Sequence, residues 1–227
     1  MNNSEPSRPL PQVGIQIIAK APLAGLAKTR LIPVLGADGA ASLAKKMLTK
    51  ILQDCASLLG DTPTEYRFSV NLWMTPSAQS PAWQSVEIPD GVGLCEQRGD
   101  DLGERMGNAA VLGLVNTDAV IIIGSDCPEI NASVLRWAAA ELQEQDACMV
   151  PCADGGYALI GMRRYESRLF TNIPWSTDKV AELTRRRLLE CGMSYTEFTA
   201  VHDIDEAADL QYLPPEWPES KGGQSLV

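Results

Sequence analysis

Two kinds of apolar segment alternate along the chain. Short, mostly apolar runs are Val13–Ala19 (VGIQIIA), rich in β-branched residues, Tyr66–Met74, Ala119–Ile123 (AVIII), Ala147–Val150 and Tyr157–Met162. Such runs predict buried strands. AVIII, apolar throughout, suits a strand covered on both faces of a parallel sheet. Between the runs lie longer segments with helical spacing. Asp38–Leu59 carries Leu43, Met47, Leu48, Ile51, Leu52, Cys55 and Leu58 on one face, which predicts an amphipathic helix. Further helices are predicted over Asp101–Val115, Asn131–Gln145 with Asn131 as cap, Thr177–Cys191 and a short last Asp205–Leu213. The alternation predicts an α/β protein with a mostly parallel sheet. Residues 13–213 read as one domain between two flexible tails, 1–12 and 214–227, both polar and proline-bearing. In such sheets ligands bind beyond the carboxyl ends of the strands. That rule singles out two loops, Lys20–Arg30 and Gly124–Glu129.

Composition narrows the chemistry. Lys+Arg is 19 and Asp+Glu is 29, a formal net charge of −10, which disfavours general nucleic-acid binding. Phosphate must then be held by a local basic cluster or a metal ion. The single histidine, His202, excludes a His-rich zinc site and leaves one possible centre for a Ser-His-Asp triad. Six cysteines with no C-x-x-C pair read as reduced thiols packed as small hydrophobes. No apolar run approaches the roughly 20 residues of a membrane helix, and residues 1–12 carry no apolar leader segment. The expectation is a cytoplasmic protein with no membrane partner.

The first loop, Lys20-Ala21-Pro22-Leu23-Ala24-Gly25-Leu26-Ala27-Lys28-Thr29-Arg30, is not a P-loop. That motif needs glycines where Pro22 and Ala27 stand. It does place three cations after a buried strand. Lys20 and Lys28 as point charges, with Arg30 as a fork, would clamp phosphate; the alternative is a solvated basic loop. Asp126, ending Gly124-Ser125-Asp126, is costly at a buried strand end unless paired or bound to a metal. It fits Mg²⁺ bridging to phosphates; the alternatives are a helix cap or a lysine partner. Asp203 and Asp205 alternate about Ile204, so in an extended segment they share a side, and either suits a second metal carboxylate. Asp205 also suits a helix cap, and the adjoining His202 reads as structural. Gln97–Met106 reads as a polar turn entering a helix. Asp154-Gly155-Gly156 suits close ligand approach or an ordinary turn. Gly91-x-Gly93 lacks the third glycine of a dinucleotide fingerprint. Trp175, just before a helix cap, suits stacking on a sugar or base, or a place in the core.

Five segments in order, KAPLAGLAKTRL, QRGDDLGERM, IIIGSDCP, ADGGYALIG and PWST, resemble a bacterial family of radical-SAM/selenodomain-associated, or arsenosugar-associated, transferases. The likeness runs from about Ile15 to Leu210. It implies a GT-A-like, nucleotide-diphospho-sugar transferase-like α/β/α sandwich. The Lys28-Thr29-Arg30-Leu31 segment is similar, more remotely, to 2-phospholactate guanylyltransferases and sugar-acid cytidylyltransferases. The resemblance implies metal binding by Asp126 and by Asp205. The family's D-T-P-E-D-L segment here reads Asp205-Glu206-Ala207-Ala208-Asp209-Leu210. It further implies phosphate contacts by Lys28 and Arg30, in the candidate phosphate-binding segment that also holds Lys20 and Gly25, and an acceptor side at Asp154, Gly155, Gly156 and Trp175.

The reading is a Mg²⁺- or Mn²⁺-dependent transferase acting on a nucleotide sugar and a small-molecule acceptor, with Asp154 orienting the acceptor or taking its proton. Three clustered cations also suit an NTP, hence nucleotidyl transfer with release of pyrophosphate. A nucleotide-sensing module without turnover is the third possibility. The base, sugar, acceptor and oligomeric state are not encoded legibly.

Overall fold

The runs buried on both faces lie inside the sheet. A computed structural model describes residues 9–60 and 65–220. Seven strands, β1 (Gln12–Lys20), β2 (Arg67–Thr75), β3 (Val92–Glu96), β4 (Ala119–Ile123), β5 (Ala147–Pro151), β6 (Tyr157–Met162) and β7 (Tyr195–Glu197), form one sheet. Its order is β3-β2-β1-β4-β6-β5-β7. β6 runs antiparallel to β4 and β5, and the other pairings are parallel. The α/β expectation holds, with a mostly parallel sheet.

Four helices cover the two faces: α1 (Ile32–Gly60), α2 (Leu102–Leu114), α3 (Ala132–Glu144) and α4 (Val180–Glu190). β4 shows why its run is apolar throughout. Ile121 and Ile123 point to one core with Leu48 and Leu52 of α1 and Leu135 of α3. Val120 and Ile122 point to the other, with Met106 and Ala110 of α2 and Leu188 of α4. The result is a three-layer sandwich. A third cluster pins the end of the described chain: Ile204, Leu210, Leu213 and Trp217 pack with Leu31, Leu43 and Met47. Of the stretch 214–227 read as a tail, residues 214–220 are described. They fold onto α1, where the Lys46 ammonium lies 4.3 Å above the Trp217 ring. Residues 1–8 and 221–227 lie outside the described residues.

Several boundaries differ from the sequence reading for local reasons. Gly36 (φ 71°, ψ 168°) breaks α1 near its start, so the regular helix begins close to the expected Asp38. α4 starts at Val180, with Lys179 as its cap residue, rather than at Thr177. The last helix is a 3-10 turn, Ala207–Tyr212, capped by Glu206 and Asp209 in reciprocal bonds rather than by Asp205. β3 and β7 were not expected; β3 is a half-exposed edge strand and β7 spans only three residues. Asn131 caps α3 as expected, its Oδ1 accepting from the N–H of Ser133 at 2.9 Å and of Val134 at 3.2 Å. Asn131→Ala is expected to cost about 1 kcal/mol, lowering Tm by roughly 2–4 °C in a thermal melt.

Candidate active site

The carboxyl ends of β1, β4 and β5 open into one cavity of about 890 Å³, lined by the loops that follow them and by the segments before α4 and after β7. The loop after β1 folds back through Gly25 (φ 77°) and Lys28 (φ 46°), and then enters a 3-10 turn, Thr29–Leu31. Leu31 is fully buried, which fixes the two basic residues before it. The segment after β7 reaches the strand ends through main-chain bonds. Val201 N–H donates to Pro151 O at 2.9 Å, and Ile204 N–H donates to Asp126 O at 3.0 Å. These bonds carry Asp203 and Asp205 to Asp126, from 77 to 79 residues away along the chain.

Four of the expected residues converge. Lys28 Nζ lies 2.8 Å from Asp126 Oδ2 and 3.7 Å from Asp205 Oδ1. Arg30 Nη1 lies 2.6 Å from Asp205 Oδ2. The Lys28 side chain is 7% exposed, against 49% for Asp126 and 35% for Asp205. A buried ammonium thus faces half-open carboxylates. Burial alone would depress the Lys28 pKa, but Asp126, Asp205 and Asp203 together hold it above the ordinary value. Asp203 feels the opposite environment. Burial, then the charges of Asp154, Asp205 and Asp209, push its carboxyl up to about 6 despite Lys28.

Lys20, Asp154, Gly156 and Trp175 line the same cavity. Lys20 Nζ donates to Leu26 O at 3.2 Å, closing the basic loop on itself. Asp154 Oδ1 accepts the Gly156 N–H at 2.9 Å, a turn that holds the carboxylate at the rim. Trp175 stands edge-on to Tyr157, ring centroids 6.4 Å apart. Gly25 and Gly155 are not among the lining residues. Gly25 serves the backbone turn. Gly155 (φ 91°) lies against the main chain of Asp178, where a Cβ would sit 2.3 Å from the Asp178 carbonyl oxygen. Its close approach is to the protein's own backbone. His202 is held outside, its Nδ1 3.1 Å from Glu129 and its ring stacked on Tyr212 at 3.6 Å.

The cavity contains residues that the sequence reading left unassigned. Arg105, on the first turn of α2, lines it with Nε donating to Gly99 O at 3.0 Å; its segment was legible only as a polar turn. Cys127 and Cys152 line it with sulfurs 3.6 Å apart. Their mutual contact, and then burial, hold the Cys127 thiol well above its ordinary pKa.

The donor set suits a hard cation. Asp126 and Asp205 already share one positive charge, the Lys28 ammonium, and further carboxylates crowd around it. Among the described residues no group of three or more His, Cys, Asp or Glu is placed to hold a metal by itself. Mg²⁺ and Mn²⁺ at phosphate sites take one or two carboxylates and complete their shell with phosphate and water, so two carboxylates fit.

Comparison with solved structures identifies the fold. A protein of Desulfovibrio desulfuricans G20, provisionally described as a nucleotide-diphospho-sugar transferase, is 27% identical over 94% of both chains, with a TM-score of 0.81. A CMP:2-keto-3-deoxy-manno-octonic acid synthetase complexed with CTP shares the fold at 15% identity, covering 95% of this chain and 100% of that one, TM-score 0.55. The manganese complex of Rv0371c from Mycobacterium tuberculosis H37Rv does so at 15% identity over 91% and 100%, TM-score 0.53. The fold is therefore the one shared by nucleotide-diphospho-sugar transferases and cytidylyltransferases. The chain itself belongs to the family described as an uncharacterized protein conserved in bacteria (DUF2064), whose model matches residues 58–177. No curated protein matches it significantly.

Proposed function

We propose that the protein is a Mg²⁺- or Mn²⁺-dependent transferase that takes a nucleotide-diphospho-sugar as donor. The observation that carries this reading is the convergence of Lys28 and Arg30 with Asp126 and Asp205 at the strand ends of one cavity. The Desulfovibrio protein, alike over almost its whole length, supports it. The manganese and CTP complexes of more distant fold neighbours supply chemistry of the right kind. Membership of the radical-SAM-associated branch, a single transferase domain over residues 13–213 and a cytoplasmic location belong to the same proposal. Among the described residues no helix is long and apolar enough to cross a membrane.

Asp126 and Asp205 would hold the metal, which when bound neutralises the diphosphate and the charge of its departure. Lys28 and Arg30 hold phosphate oxygens, with Lys20 at the edge of the same loop and Gly25 shaping it. Trp175 and Gly156 bound the acceptor side, and Gly155 holds their turn against α4. Asp154 at the rim orients the acceptor hydroxyl and receives its proton. Nucleotidyl transfer is the second reading. Its support is that Lys20, Lys28 and Arg30 all line the one cavity, enough cations for a triphosphate.

Thermal unfolding against NTPs and nucleotide sugars, with and without Mn²⁺, tests the two. A ligand at 100 times its Kd adds about 2.7 kcal/mol, or roughly 5–10 °C at this chain length. Metal-dependent stabilisation by one nucleotide sugar above its parent NTP is the expected outcome. Stabilisation by a single NTP alone favours nucleotidyl transfer, and no response to any nucleotide contradicts both.

A further inference from the structure

Lys28 is the most enclosed charge at the strand ends, and its backbone is held in the left-handed region, φ 46° and ψ 50°. A non-glycine residue there is strained and persists only when its surroundings hold it. Here the hold is visible: Leu31 N–H donates to Lys28 O at 2.9 Å, and Leu31 is fully buried. The Cα is fixed, and the ammonium is carried on a four-carbon stem with several rotatable bonds. The ammonium bonds Asp126 and also reaches Asp205. Those are the two carboxylates that suit a divalent cation. An ammonium and a divalent cation sharing both carboxylates would repel one another at close range. They cannot both keep their best positions.

Resting on the metal-dependent reading above, we propose that Lys28 is a displaceable counter-cation. Its ammonium competes with the divalent metal for Asp126 and Asp205, and the phosphates of the nucleotide supply its alternative partner. Metal and nucleotide then bind as a linked pair. The metal takes the carboxylates and Lys28 turns to the phosphates, so each arrival favours the other, and by linkage the effect is reciprocal. The device keeps the acidic cavity neutralised and weakens metal binding until a nucleotide is present. Lysine suits this role better than arginine, being a compact charge on a flexible stem.

The test is Mn²⁺ binding, read as free Mn²⁺ by electron paramagnetic resonance, for the wild type, Lys28→Met, Lys28→Gln and Lys28→Arg. Circular dichroism melts check folding, and two neutral variants guard against the failure of one. Mn²⁺ alone is expected to bind either neutral variant at least ~10-fold more tightly than the wild type, a difference of about 1.4 kcal/mol. The Arg variant, which keeps the positive charge, is expected to bind as weakly as the wild type. Equal or weaker Mn²⁺ binding by the folded neutral variants would overturn the proposal. The function reading would survive that result if wild-type protein still bound the most stabilising nucleotide in a Mn²⁺-dependent way. If no nucleotide binds with Mn²⁺ to the wild type, the function reading and this proposal fall together.

Discussion

Asp126→Asn is expected to lower turnover by ~10³-fold, the scale for loss of one preorganised electrostatic contact to developing charge. The side chain is half exposed and its partners are Lys28 and the neighbouring Ser125 hydroxyl. The amide keeps its size, and Ile204 still bonds the unchanged main-chain oxygen. The fold should therefore persist, with Tm close to that of the wild type. What changes is the charge: one of the two carboxylates shared with Lys28 is lost. Turnover of the donor identified by the thermal panel, measured at saturating Mn²⁺, decides it. A fall in kcat with an unchanged melting curve is the expected pattern. Wild-type turnover in this variant would remove Asp126 from the chemistry.

The largest effect on stability is expected from Gly155→Ala. A methyl group there meets backbone rather than a yielding side chain, with Asp178 O at 2.3 Å and Asp178 Cα at 2.6 Å. The residue also sits at φ 91°, where an alanine is strained. Two further bonds pass through this turn: Gly155 N–H to Cys152 O, and Ala181 N–H to Gly155 O at 2.8 Å. Relieving the clash therefore shifts the start of α4 or the Asp154 turn. The expected cost is about 3–5 kcal/mol, the roughly 1–3 kcal/mol of a strained backbone position plus the clash with the Asp178 main chain. At this length that lowers Tm by roughly 6–20 °C, and weakened donor turnover should accompany it as Asp154 moves. A melting curve within a degree or two of the wild type would show that the turn yields freely.

The layers of the sandwich were legible because burial on two faces forces an uninterrupted apolar run. β4 shows this, with Ile121 and Ile123 in one core and Val120 and Ile122 in the other. β3 escaped because an edge strand owes little to burial: Leu94 is 51% exposed, and pairing with β2 alone fixes the segment. β7 has three residues and depends on β5 in the same way. Neither carries a hydrophobic pattern that could announce it.

In the cavity, Lys28, Arg30 and Asp126 were legible from one rule, that strand ends bind ligands. Asp205 was not separable from Asp203 on spacing alone, and the resemblance chose between them. Both reach the cavity, Asp203 as one of its most perturbed carboxyls. Their position depends on main-chain bonds from residues 201 and 204 to the ends of β5 and β4, which side-chain identities do not display. The glycine pair was not decidable from spacing. Spacing leaves open a close ligand approach or an ordinary turn at Gly155, and what lies against it in the fold is the carbonyl of Asp178. Arg105 was overlooked because a cation in the first turn of a helix has no periodic signature, and only folding aims it at the cavity.

The most direct test of the account is anomalous scattering from Mn²⁺ in crystals grown with the nucleotide that stabilises the protein most. The account predicts a peak between the Asp126 and Asp205 carboxylates, bridged to the nucleotide phosphates, with the Lys28 ammonium turned away from Asp126 onto a phosphate oxygen. A nucleotide bound in the cavity with Lys28 still on Asp126, and no manganese at either carboxylate, would contradict it.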